Sequence, residues 1–176
     1  MKLIFFTASY PYGIGQQWKK NELEYLRKYF SEIQIIPLSY GGNETPHQVP
    51  EGVSYVKPVL YDKKSSIKFF LTNFFSFQGM NVFISDFFEK KVYEKYSRLK
   101  SWVYCICLTR HLLKNPSIRE ILYNRTDDLV LYFYWGKGAA FIVPFIDTSK
   151  FFKVIARFHR GDLYEDRSNN YLPLRK

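Results

Sequence analysis

Two cysteines and three histidines are all the thiol and imidazole chemistry that a chain of 176 residues has to offer, and their placement excludes more than it suggests. Cys105 and Cys107 stand two apart in a run of helical character, a poor geometry for a bridge, so a disulfide scaffold is excluded and a reducing compartment is expected. His47, His111 and His159 have no ligand spacing between them, so no metal centre is expected. The longest charge-free stretch, FFLTNFFSFQGMNVFIS, falls short of spanning length and carries Thr, Asn, Gln, Gly and Ser, so it reads as a surface or core element. The LIFF run after Met1-Lys2 is too short for a signal-peptide core and has no small-residue cleavage site behind it. There is neither an internal repeat nor a low-complexity linker. Acidic residues are few, 16 against 26 Lys plus Arg, which leaves a formal charge of +10. An acidic partner or surface is implied.

What is abundant is apolar and aromatic: 47% of the chain is hydrophobic and 20% aromatic, with 17 Phe and 15 Tyr. There is ample material to bury, intrinsic disorder is excluded, and the length suits one domain over residues 1–176. Lys2 to Phe6 is a short apolar run bounded by turn-forming residues, as in a buried parallel strand. Trp18, Leu23, Leu26 and Phe30 follow at helical spacing, with Asn21-Glu22 near the start and Arg27-Lys28 near the end, as the helix dipole prefers. Glu32 to Leu38, Val53 to Leu60, Asp128 to Trp135 and Phe152 to Phe158 read as further strands, and residues 63–124 as several helices. This alternation predicts an α/β fold, a Rossmann-like open parallel sheet with helices on both faces.

Such a sheet binds its ligand at the carboxyl ends of its strands. The loop TASYPYGIGQQW is the first strand-to-helix turn there. Gly13 and Gly15 would let the backbone approach a ligand, and the following helix would offer free N–H groups to an anion. The pattern is G-x-G alone, without the full dinucleotide or Walker fingerprint, and two glycines that only turn the chain are the bland alternative. At the far end, His159 stands just past the last strand, and Arg157, Arg160, Asp162, Glu165, Asp166 and Arg167 form a charged rim around it. Gly136, after the fourth strand, is expected on the same carboxyl-end rim. A hydrogen-bonded structural His159 in a solvated loop is the plainer reading.

The segments SYPYGIGQQWKKNELEYL and ARFHRGDLYEDRSNNYLPLRK together resemble the start and end of the N-terminal domain of family 4 retaining glycosyltransferases of the GT-B fold, the kind that builds bacterial surface polysaccharide. In that family the first loop carries Y-P-Y-G-x-G-E and the last strand runs into His-Gly-x-Asp-Leu-Tyr. LVLYFYWGKGAA is similar to the intervening strand and helix, while residues 41–124 match only in layout. The resemblance implies that this chain is the acceptor-side half of a two-domain enzyme whose C-terminal, sugar-nucleotide-binding domain lies outside it, so that the fragment alone is inactive. It implies that Gly13 and Gly15, with Gln16, form the loop that approaches the donor diphosphate, and that His159 faces the transferred sugar. The nucleotide-sugar is a co-substrate, with no further cofactor, and the acceptor a saccharide or lipid-linked sugar. Gln16 stands where many relatives have Glu, and Arg160 comes between the histidine and the glycine.

The basic, aromatic segment FFEKKVYEKYSRLKSWVY would suit attachment to an anionic membrane, which places the protein in the cytoplasm, peripheral on the inner membrane face. An ordinary helix with a solvated charged face is the plainer reading of the same residues. From other classes come a nucleic-acid-binding module, which the charge permits but no recognition motif supports, and a stand-alone nucleotide-binding α/β protein, which needs only the G-x-G loop.

Overall fold

The computed structural model describes residues 1–15, 18–60, 80–123 and 126–159. Its centre is a five-stranded, all-parallel open sheet in the order β3-β2-β1-β4-β5, with helices in the connections: the α/β, Rossmann-like class expected from the sequence. The strands are β1 Lys2–Thr7, β2 Glu32–Pro37, β3 Val53–Tyr55, β4 Thr126–Phe133 and β5 Phe151–Ala156. Phe5 of β1 lies between Ile35 of β2 and Tyr132 of β4 in the register. Consecutive residues Leu3, Ile4, Phe5 and Phe6 are all buried, so β1 carries an unbroken apolar run rather than an alternating one.

The chain divides into two compact units. The first holds the sheet and α1, Lys19–Leu26, and spans Met1–Asp62, Tyr123–Trp135 and Asp147–Arg157. Its core gathers Leu3 and Phe5, Ile33 and Ile35, Val53, Val130, Tyr134 and, from α1, Leu23. Leu26 and Phe30 pack against that core half-buried, as the helical spacing predicts. Trp18 does not: its ring is 48% exposed, and it is Lys19, beside it, that is fully buried. Glu22 sits in the first turn, where the dipole favours an anion, but α1 stops at Leu26, so Arg27 is its C-cap and Lys28 lies beyond it.

Strand boundaries shift where backbone chemistry intervenes. β3 pairs with β2 only through Tyr55, although Val59 and Leu60 continue to donate N–H groups to Pro37 and Leu38. Pro58, in between, has no N–H to offer, which interrupts the ladder. β4 begins two residues before its apolar run, pairing Thr126 with Phe151; after an irregularity the pairing resumes at Val130 with Lys153.

The second unit spans Lys63–Leu122, Gly136–Ile146 and Phe158–Lys176. Its described helices are α2 Met80–Glu89, α3 Tyr96–Lys114 and α4 Pro116–Tyr123, whose last residue falls in the first unit; the FFLTNFFSFQG part of the charge-free stretch lies outside the described residues. The indole N–H of Trp102 donates to the Phe83 carbonyl at 3.0 Å, and Phe83 stacks on Phe145 with ring centres 5.1 Å apart. Six successive residues of α3, Cys105 to Arg110, are buried, so this helix is enclosed all round over nearly two turns. Both thiols are free, and burial pushes them up, Cys107 to about 11 and Cys105 well above the usual thiol range. They are thiols at neutral pH and poor nucleophiles. No described helix is long and apolar enough to cross a membrane.

Candidate functional site

The loop after β1 is built by its own backbone. The Thr7 hydroxyl donates to the Tyr10 carbonyl at 2.6 Å, and the N–H groups of Tyr12 and Gly13 both donate to the Ser9 carbonyl, at 2.7 and 3.3 Å. The connection between β2 and β3 then braces it from the side. The His47 N–H donates to the Pro11 carbonyl at 2.8 Å, and His47 Nε2 lies 3.1 Å from the Gly13 carbonyl, a contact that requires the ring proton on Nε2. Gly41, at φ +61°, comes so close that a Cβ there would meet Ser9 Cβ at 2.6 Å and Gly13 Cα at 2.9 Å. Tyr12 is wedged edge-on against Tyr40 and Tyr55.

The two loop glycines therefore have different surroundings. Gly13 is buried beneath His47 and Gly41. Gly15 is exposed, at φ +71°, with no atom within 4 Å of where a Cβ would stand. Only the second offers open backbone, just ahead of α1. The Tyr10 hydroxyl below the loop has no hydrogen-bond partner among the described residues, and burial pushes its pKa up to about 12.

Where α1 begins and β4 and β5 end, the structure assembles a cluster that sequence reasoning missed, except for Arg157. The Lys19 ammonium lies 4.3 Å from the Trp18 ring centre and 4.5 Å from that of Tyr134. On the same Tyr134 ring, the guanidinium carbon of Arg157 lies 5.0 Å from the centre. Arg157 Nη1 reaches both oxygens of Glu22, at 3.2 and 3.4 Å, and the Tyr132 hydroxyl donates to Glu22 Oε1 at 2.9 Å. These residues converge for a topological reason. Tyr134 and Arg157 directly follow parallel neighbours, their N–H groups donating to Phe6 and Phe133, while Lys19 and Glu22 open the helix that returns from β1. The signal in the sequence was Tyr132 and Tyr134, two positions apart in a strand otherwise apolar, where Phe would have served a dry core.

Burial dominates the electrostatics. It pulls Lys19 down to about 8, with the neighbouring Arg157 acting in the same direction and Glu22 opposing. It pushes Tyr132 up to about 12, assisted by Glu22.

The other residues singled out in the sequence are placed separately. Gly136 and His159 belong to the second unit; His159 is half-buried three residues past β5, and a Cβ on Gly136 would overlap the exposed Phe158 ring and oblige it to shift. Gln16, Arg160 and Asp162 lie outside the described residues. No protein-family model, curated protein or solved structure matches this chain.

Proposed function

We propose that this chain is the acceptor-side half of a retaining glycosyltransferase, which moves a sugar from a nucleotide-sugar to a saccharide or lipid-linked acceptor in cell-surface polysaccharide synthesis. The observation that carries this reading is the open, left-handed backbone of Gly15 at the carboxyl end of β1, next to a helix start lined by Trp18, Lys19 and Glu22. Ligands of open parallel sheets sit at that end. Breaking a sugar–diphosphate bond builds charge on the leaving phosphate, and fixed N–H groups aimed there lower the barrier. Gly15 and the start of α1 supply such groups. His159 positions the transferred sugar, the leaving phosphate assists deprotonation of the acceptor, and the second domain of the enzyme holds the nucleotide. In this reading the protein works in the cytoplasm at the inner membrane face, to which exposed Phe88, Tyr93 and Tyr96 and the surrounding lysines attach it.

The test is a panel of nucleotide-sugars assayed for nucleotide release with lipid-linked and free saccharide acceptors. The chain joined to a sugar-nucleotide-binding domain is expected to turn over one donor, and the chain alone none, because up to roughly 7–11 kcal/mol of barrier reduction depends on holding both reactants together. Turnover by the isolated chain, or none of any donor by the two-domain protein, would sink the reading.

A further inference from the structure

Arg157 is held in a way that a simple ion pair does not need. A guanidinium that only neutralised Glu22 would meet the carboxylate fork to fork, two nitrogens on two oxygens. Here a single nitrogen, Nη1, serves both oxygens of Glu22. The Tyr134 ring lies 5.0 Å from the guanidinium carbon, and Tyr132, hydrogen-bonded to the same carboxylate, also hydrogen-bonds the guanidinium, so the group is fixed by a carboxylate, a phenol and an aromatic ring. Its partners among the described residues are Glu22, Tyr132 and Tyr134 alone, and the side chain remains 45% exposed. Arginine has five N–H donors in a rigid plane, and the Nε and Nη2 edge is the one that matches a planar or tetrahedral anion. Lys19 and Arg157 both lie against the Tyr134 ring, which brings two basic side chains together at the carboxyl end of the sheet.

We propose that Arg157 is an anion-binding residue that, held by Glu22 and the Tyr134 ring, presents its remaining N–H donors to a phosphate or carboxylate carried by the acceptor. The inference rests on the reading above only for the word acceptor; binding of an anion needs no donor and no transfer. A phosphate would come from a lipid-linked diphosphate and a carboxylate from an acidic sugar. Pre-organisation of the guanidinium gives the site its selectivity, since a fixed fork loses little freedom when it meets an anion.

The test is calorimetric titration of the folded chain with pyrophosphate, with glucuronate and, as neutral control, with glucose, at low and moderate salt. At least one anion is expected to bind, the one preferred identifying the source, while glucose shows no dependence on Arg157. Arg157→Gln is expected to weaken that binding at least tenfold with the circular dichroism unchanged, and Arg157→Lys to recover only part, because an ammonium keeps the charge and loses the fork. Equal binding to wild type and Arg157→Gln, full recovery in Arg157→Lys, or no binding of either anion would overturn the proposal. Arg157-dependent binding with no sugar transfer by the two-domain protein would overturn the glycosyltransferase reading and leave the site standing.

Discussion

The Lys19 ammonium lies 4.5 Å over the ring of Tyr134, fully buried at the first position of α1. A cation in that place is held by ring faces, which attract it, against the loss of water, which favours the neutral amine. Lys19 titrates at about 8 in the fold, against 10.5 for an ordinary lysine. Below pH 8 both the folded and unfolded chains hold this proton, and the fold bears the full desolvation penalty. Between the two values the unfolded chain binds more protons, so stability rises with pH. Urea unfolding of wild type and Lys19→Met at pH 7 and pH 9.5 is expected to show the wild type gaining about 2 kcal/mol on the variant over that interval. Parallel pH curves would show that Lys19 is not desolvated.

Gly41 and Gly15 both have positive φ but should respond differently to the same substitution. Gly41→Ala adds a methyl against Ser9 and Gly13 Cα as well as backbone strain, and is expected to destabilise by on the order of 2–4 kcal/mol. Gly15→Ala carries strain alone, since its Cβ would stand in open space, and is expected to lose about 1 kcal/mol. Denaturant midpoints of the two variants settle the order; equal losses would mean that the β2–β3 connection does not brace the loop.

On the glycosyltransferase proposal, His159→Ala in the chain joined to a sugar-nucleotide-binding domain is expected to lower turnover with a loss of stability near or below about 1 kcal/mol, because a half-buried residue beyond a strand end supports little core. Turnover and thermal melting measured on the same preparation separate the two effects. Unimpaired turnover would remove His159 from the mechanism.

Anionic vesicles should bind the chain in a salt-sensitive manner through exposed Phe88, Tyr93 and Tyr96 and their neighbouring lysines. Changing Lys90 and Lys95 to Gln is expected to weaken co-sedimentation by roughly tenfold or more, from about 1 kcal/mol per cation near such a surface. Tight, sequence-dependent nucleic-acid binding with no vesicle binding would reverse the assignment of the basic charge.

The apolar runs at residues 2–6 and 32–38 place β1 and β2 to within one residue, because inner strands of a parallel sheet read as unbroken apolar runs; the run at 152–158 places β5 to within two, although β5 is an edge strand that leaves Phe152 and Ile155 exposed. What sequence periodicity could not show is the cluster around Tyr134. Counting apolar residues put Trp18 inside α1's stripe, yet the structure buries Lys19 instead. A lysine whose stem is apolar and whose head is satisfied by two rings obeys burial as well as a tryptophan does, and nothing in a hydropathy pattern marks that exception. The glycine loop was legible as a turn at the right end of the sheet. The different settings of Gly13 and Gly15 depend on His47 and Gly41, which come from a connection more than twenty residues away.

The strand order has a consequence for how the polypeptide is made. β1 is the sheet's middle strand, paired on one side with residues 32–37 and on the other with residues 126–133. The first pairing closes a short loop and is available early in synthesis; the second must wait for the long stretch between β3 and β4 to be translated, and pairing at such sequence separation is slow. Until Phe133 emerges, the nascent chain carries β1, with its apolar LIFF run, as an unfinished edge open to any other strand it meets. A ribosome stalled anywhere between β3 and β4 would therefore hold out β1 as an unpaired edge, the kind of surface that invites pairing with another chain.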